Sequence, residues 1–187
     1  MRILGIDPGL ATIGIGIVAR DGAGKQRAED WLTITTPAGL PLPERLQEIQ
    51  RDLDEFLHAN PVDLAVVERL FFAVNEQSAL DVAQARGVLV CALARRGIPV
   101  IEPTPLQMKL AITGDGKADK RQVQTMIVRL LGLQEIPRPD DAADALALAL
   151  YGALIHGSPL IAAAQPPAAP PRPTRARRTT RAARASR

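Results

Sequence analysis

Apolar residues fall in three short strand-like stretches near the N-terminus: Ile3 to Asp7, Ile13 to Ala19 and Trp31 to Thr35. Pro8-Gly9 breaks the first from the second, and Asp21-Gly22-Ala23-Gly24 supplies turn material before the third. The pattern predicts an antiparallel three-stranded meander whose first hairpin presents Asp7. In the second stretch Ile13, Ile15 and Ile17 share one face, while Gly14 and Gly16 leave the other bare. A bare face suits close approach by another backbone, a packed helix ahead of a ligand.

Helical periodicity takes over after Pro41 and Pro43, with Leu46, Ile49, Leu53, Phe56 and Leu57 on one side and charged residues on the other, until Asn60-Pro61. Leu64 to Val67 is apolar without alternation, the mark of a central strand buried on both faces, and it ends on Glu68. A helix follows over about 77–96, with Leu80, Ala83, Gly87, Val88, Cys91 and Ala94 as its predicted inner stripe and Gly97 as its stop. Ile98 to Glu102 reads as a fifth strand, and Thr104-Pro105 opens a short helix carrying Lys109. Beyond the loop Thr113 to Lys117, a helix over 119–131 turns Val123, Ile127, Leu130 and Leu131 inward. A last helix runs from Asp140 to Ile155 and closes at Gly157. Right-handed crossovers place the later strands parallel to the first, which makes the class α/β.

Composition changes this picture at the C-terminus. Residues 166–187 hold seven of the 23 Lys and Arg and none of the 20 Asp and Glu, leaving the remainder at −4 net. Residues 1–157 therefore read as one domain, and 158–187 as a disordered basic tail rich in Pro, Ala and Arg, suited to an anionic partner. With one cysteine no internal disulfide forms; Cys91, among apolar neighbours, reads as a buried small hydrophobe, and a reducing cytoplasm fits. No signal-like segment opens the chain, and Ala145 to Ile155 is too short to span a bilayer, so no membrane partner is expected.

The candidate chemistry is carboxylate chemistry. Asp7 and Glu68 end neighbouring strands, at the sheet edge where α/β folds place ligands. Asp141 and Asp144 share a helix face at spacing i, i+3, continued by Leu148, Tyr151 and Ile155, so burial of that stripe swings both acids towards Asp7. First-turn aspartates also arise merely as helix caps. Glu68, directly behind a buried strand, is harder to explain without a partner. Gathered carboxylates repel unless cations sit among them, and hard oxygen ligands suit Mg²⁺ or Mn²⁺. The two His and one Cys have no zinc spacing. Acids on two strands and a helix can hold two metals about 3.5 to 4 Å apart, an arrangement that hydrolyses phosphodiesters. Lys117, Lys120 and Arg121 oppose the macrodipole at a helix start, and serve either as an anion-binding edge or as solvated surface charge.

Gly5-Ile-Asp-Pro-Gly9, Val67-Glu68 with Phe71 to Asn75 behind it, Gln84-Ala-Arg-Gly87, Gln107-Met-Lys109, Lys120 to Val123 and Asp141-Ala-Ala-Asp144 together resemble the RuvC family of bacterial Holliday junction resolvases, over about residues 2–157. The resemblance implies a ribonuclease H-like fold, a mixed five-stranded sheet with its first three strands antiparallel and helices flanking it. It implies a cytoplasmic, nucleoid-associated homodimer that nicks four-way junction DNA symmetrically, in strands of like polarity, with two Mg²⁺ or Mn²⁺ ions per site, alongside the RuvA and RuvB branch-migration helicase. Asp7, Glu68, Asp141 and Asp144 match the family's metal-binding acids, and Asp140 lies outside the matched spacing. Lys109 and Lys120 match lysines needed for cleavage. Phe71 matches a base-stacking aromatic; Phe72 stacks or packs inward, and Lys117 and Arg121 are further DNA contacts. The Asp-Pro-Gly hairpin also resembles the phosphate loop of actin-like ATPases, but those need a second domain for which 187 residues leave no room. A related nuclease acting on ribosomal RNA precursors fits the Phe71 loop and the last helix less well, and four intact acids argue against a non-catalytic junction-binding module.

Overall fold

The structure is a computed structural model that describes residues 1–69 and 76–156, with the backbone alone for 76–78. The elements follow in the order β1 (Arg2–Asp7), β2 (Thr12–Arg20), β3 (Gln26–Thr35), α1 (Leu42–Ala59), β4 (Leu64–Val67), α2 (Glu76–Arg95), β5 (Val100–Ile101), α3 (Pro105–Thr113), α4 (Lys120–Leu131) and α5 (Asp140–His156). The sheet has five strands in the order β3-β2-β1-β4-β5. β1, β2 and β3 pair antiparallel, while β4 joins β1, and β5 joins β4, in parallel. This is the expected mixed α/β sheet.

Side-chain alternation sorts the sheet into two cores. Leu4, Ile6, Ile13, Ile15, Ile17, Ala65 and Val67 point to the side covered by α1 and α2. Ile3, Val18, Leu64 and Val66 point to the side where α5 lies, with α3 and α4 packed outside it. Beyond its acidic start α5 is therefore covered all round, which is why its sequence is apolar on every face between Ala145 and Ile155.

The bare face of the meander is filled by α5. A Cβ at Gly5 would collide with the carbonyl of Ala145, one at Gly14 with the carbonyl of Asp141, and one at Gly16 would stand 2.8 Å from the amide of Leu146. Glycine here is a condition of helix approach, and the approach brings the acidic first turn of α5 against the end of β1.

Several boundaries and faces differ from the sequence expectation. β3 starts at Gln26 rather than Trp31, because it is the edge strand and needs no apolar alternation over Gln26 to Asp30. Ion pairs of Glu29 with Arg2 (2.7 Å) and Arg27 (2.6 Å) hold that charged half. β5 shrinks to Val100–Ile101. The inner stripe of α2 is overturned: Ala85, Leu89, Ala92 and Leu93 are buried, whereas Leu80 is 60% exposed and Cys91 is exposed rather than a core residue. Leu130 of α4, expected inside, is also exposed, and Val123, Ile127 and Leu131 do the packing. Phe71, Phe72 and the expected tail lie outside the described residues.

Candidate active site

β1 and β4 run parallel with Ile6 opposite Val67, so the next residues, Asp7 and Glu68, stand side by side at one sheet edge. Each continues the alternation of the α5-facing residues, Ile3 and Gly5 on β1 and Leu64 and Val66 on β4, so both carboxylates point to the same face. Asp7 is also the register partner of Gly14, against which the Asp141 carbonyl rests. The first turn of α5 thus lies over Asp7, with Asp144 one turn further on. At the start of α5 the Pro139 carbonyl accepts from the amides of Ala142 (3.0 Å) and Ala143 (3.3 Å).

Two capping boxes aim the lysines. Thr104 accepts from the Gln107 amide (3.2 Å) and Gln107 returns the bond (2.9 Å), fixing the start of α3 and so Lys109. Asp119 and Gln122 do the same at α4, both bonds 2.8 Å, and set Lys120 at its first turn.

These elements enclose a cleft of about 190 Å³ lined by Asp7, Glu68, Lys109, Lys120 and Asp144 over an apolar floor of Pro105, Met108, Val123 and Leu148. The volume falls below the few hundred Å³ of ordinary small-molecule pockets, so the cleft suits ions and one phosphodiester with the rest of a substrate outside. Asp141 does not line the cleft, but its charge is felt at Asp7.

The electrostatics are those of crowded acids. Burial first, then Glu68, Asp144 and Asp141, push the Asp7 pKa from 3.8 up to about 7, against a small opposing pull from Lys120. Burial and Asp144 raise Glu68, with Lys109 opposing. Burial also raises Asp144, although it accepts a 3.0 Å hydrogen bond from Lys120 Nζ. Burial would lower Lys120, but its bonds to Asp144 and, at 3.2 Å, Asp140 outweigh that and raise it. The acids destabilise one another wherever they are ionised together, and a cation among them relieves this.

The donor set fits a hard divalent ion: every candidate ligand is a carboxylate oxygen, and the repulsion falls on the side chains that would share it. Among the described residues no three such side chains already stand close enough together to hold an ion. Lys120 supplies part of the positive charge.

Nothing in the sequence signals that Lys120 pairs with Asp144, or that Asp140, outside the matched spacing, shares its ammonium. Lys117 and Arg121 are exposed. Arg121 lines a neighbouring hollow with Asp119, Gln122 and Arg129, outside the acidic cleft.

The model of the family described as "Crossover junction endodeoxyribonuclease RuvC" matches residues 3–152. The chain is 54% identical over 150 residues to the crossover junction endodeoxyribonuclease RuvC of Chloroflexus aggregans, covering 80% of this chain and 91% of that protein. It is 50% identical over 150 residues to the protein of the same name from Syntrophomonas wolfei, covering 80% and 87%. Among solved structures, Thermus thermophilus RuvC in complex with a Holliday junction substrate superposes with a TM-score of 0.79 at 38% identity, covering 83% of this chain and 94% of that one. With the sheet order, the α5 approach and the acidic cleft, these matches show that the chain belongs to the RuvC family of crossover junction endodeoxyribonucleases.

Proposed function

We propose that this chain resolves four-way DNA junctions by metal-dependent hydrolysis of one phosphodiester in each of two strands of like polarity, with Asp7, Glu68, Asp141 and Asp144 as the metal ligands. The observation that carries the reading is the convergence of acids from β1, β4 and α5 on one small cleft with two lysines at its rim. Mg²⁺ or Mn²⁺ bound there, two ions in the full site, would activate water and neutralise the leaving oxygen.

The chain's own residues do the remaining work. Lys109 and Lys120 offer ammonium protons to the phosphate oxygens and oppose the charge that builds on them. The apolar floor excludes water, which strengthens each of these interactions. Cations held by the acids would compensate Asp144 and Asp140 and leave the Lys120 ammonium for phosphate. Phe71 is assigned to stacking on an unpaired base at the junction centre, an interaction that contributes about 1 to 3 kcal/mol per base; Phe72, Lys117 and Arg121 are further DNA contacts, and the basic tail of 158–187 binds backbone phosphate.

Paired nicks call for two copies. The outward face of α2 supports a homodimer: Leu80 and Cys91 are exposed, and among the described residues nothing stands within 4 Å of where a Gly87 Cβ would be, so a second helix can come close. A twofold dimer presents its two clefts to symmetry-related strands. The branch-migration proteins RuvA and RuvB are the partners that family membership suggests. Among the described residues no helix is long and apolar enough to cross a membrane, and a cytoplasmic, nucleoid-associated protein fits a DNA substrate.

The test is incubation with a synthetic four-way junction, linear duplex and RNA–DNA hybrid, each with Mg²⁺, Mn²⁺ or EDTA. Symmetric nicking of the junction alone, abolished by EDTA, is the expected result. Preferential cleavage of the hybrid or of structured RNA would overturn the substrate assignment.

A further inference from the structure

One guanidinium ties together the two segments that carry Glu68 and Lys109. Arg86 of α2 donates through Nε to the main-chain carbonyl of Glu68 at 3.0 Å and forms an ion pair through Nη2 with the Glu102 carboxylate. Glu102 directly follows β5, and the carbonyl of the next residue, Pro103, accepts from the Arg69 amide at 3.0 Å. Thr104 then caps α3, the helix of Lys109. Arg86 therefore lies where the end of β4 and the lead into α3 meet.

The sheet itself holds Glu68 weakly. Pairing of β4 with β5 stops at Val66 opposite Ile101, and the Glu68 amide reaches the Ile6 carbonyl only at 3.4 Å. Beyond the ladder, and among the described residues, the Glu68 carbonyl accepts from Arg86. A planar guanidinium can serve a carbonyl and a carboxylate at once, whereas an ammonium is a single point of charge. Outer partners that orient ligands typically change metal affinity or activity by about 10- to 100-fold when lost.

We propose that Arg86 is a positioning residue for the cleavage site: through the Glu68 main chain and Glu102 it sets the Glu68 carboxylate against Lys109 and the acids of α5. This rests on Glu68 being a metal ligand. Among the described residues, Arg86 acts on the cleft only through these two segments.

The experiment compares full-length wild type, Arg86→Lys, Arg86→Gln, Glu102→Gln and Glu68→Gln. It reads three quantities: single-turnover junction cleavage across a Mg²⁺ titration, junction affinity in EDTA, and the rise in melting temperature on adding Mn²⁺ without DNA. For Arg86→Lys and Arg86→Gln we expect cleavage reduced roughly 10- to 100-fold, a higher Mg²⁺ midpoint, a smaller Mn²⁺-induced rise and unchanged junction affinity. If either folds and shows the wild-type midpoint and Mn²⁺ response, the proposal is overturned. Should both fail to fold, Glu102→Gln decides: a raised Mg²⁺ midpoint with intact junction affinity supports the role, and a wild-type midpoint overturns it. Glu68→Gln separates the two ideas. A normal Mn²⁺ response in that variant would sink the metal-site reading itself, independently of Arg86.

Discussion

Replacing Asp7 with Asn should stabilise the metal-free protein while destroying its cleavage. Folding moves the Asp7 carboxyl into a site where burial, Glu68, Asp144 and Asp141 raise its pKa from 3.8 to about 7. A raised folded-state pKa on an acid means that the ionised form costs stability. The cost is small below pH 4, grows as pH rises between 4 and 7, and is complete above 7. At about 1.4 kcal/mol per pKa unit the gap corresponds to roughly 4 kcal/mol above pH 7 and less than about 1 kcal/mol at pH 4. Water entering the open side of the cleft screens part of it, so roughly 2 to 4 kcal/mol is the expected gain for Asp7→Asn at pH 8. In a chain of this size that raises the melting temperature by about 5 to 10 °C. The assay is thermal unfolding of both proteins in EDTA at pH 8 and pH 4, followed by a Mn²⁺ titration at pH 8. The variant should lead at pH 8, lose its lead at pH 4, and gain less from Mn²⁺ than wild type does. A destabilised variant at pH 8, or an equal gain at both pH values, would refute the electrostatic reasoning.

Gly14→Ala places a methyl against the Asp141 carbonyl; α5 must shift, and we expect a loss of roughly 1 to 3 kcal/mol by denaturant unfolding together with loss of junction cleavage. Lys120→Met leaves Asp144 and Asp140 without their shared cation; metal-free stability in EDTA should fall at pH 8 but little at pH 4, and single-turnover cleavage should drop about 100-fold. Phe71→Ala should weaken cleavage more than duplex binding, and an unchanged cleavage rate would remove that residue from the junction contact. Deleting residues 158–187 should flatten the dependence of DNA affinity on salt concentration, because seven arginines are lost with the tail; an unaltered slope would place the tail's function elsewhere.

Much of this architecture was legible because its determinants are local. Alternation placed β1 and β2, the unbroken Leu64 to Val67 run marked the central strand, and i, i+3 spacing put Asp141 and Asp144 together. The glycines announced a close approach, although only the structure shows that α5 makes it. Where several faces are apolar, periodicity does not choose: α2 carries Val82, Val88, Val90 and Cys91 around the stripe that packs, so the buried face was misread. The charged start of β3 carries no strand pattern because an edge strand is fixed by pairing and by ion pairs such as that of Arg2 with Glu29. The link from Lys120 to Asp140 and Asp144 spans twenty or more residues and two helices, and no local signal encodes it. Arg86 is the same kind of case, its partners Glu68 and Glu102 lying on either side of it in sequence.

Asp7, Glu68, Asp141 and Asp144 are proposed to form one metal site. Crystals of the full chain soaked in Mn²⁺ and measured at the manganese absorption edge test it most directly. Anomalous peaks are expected within coordination distance, about 2.0 to 2.6 Å, of oxygens from these acids, with the Lys120 ammonium displaced from Asp144. Manganese bound elsewhere while this cleft stays empty would contradict it.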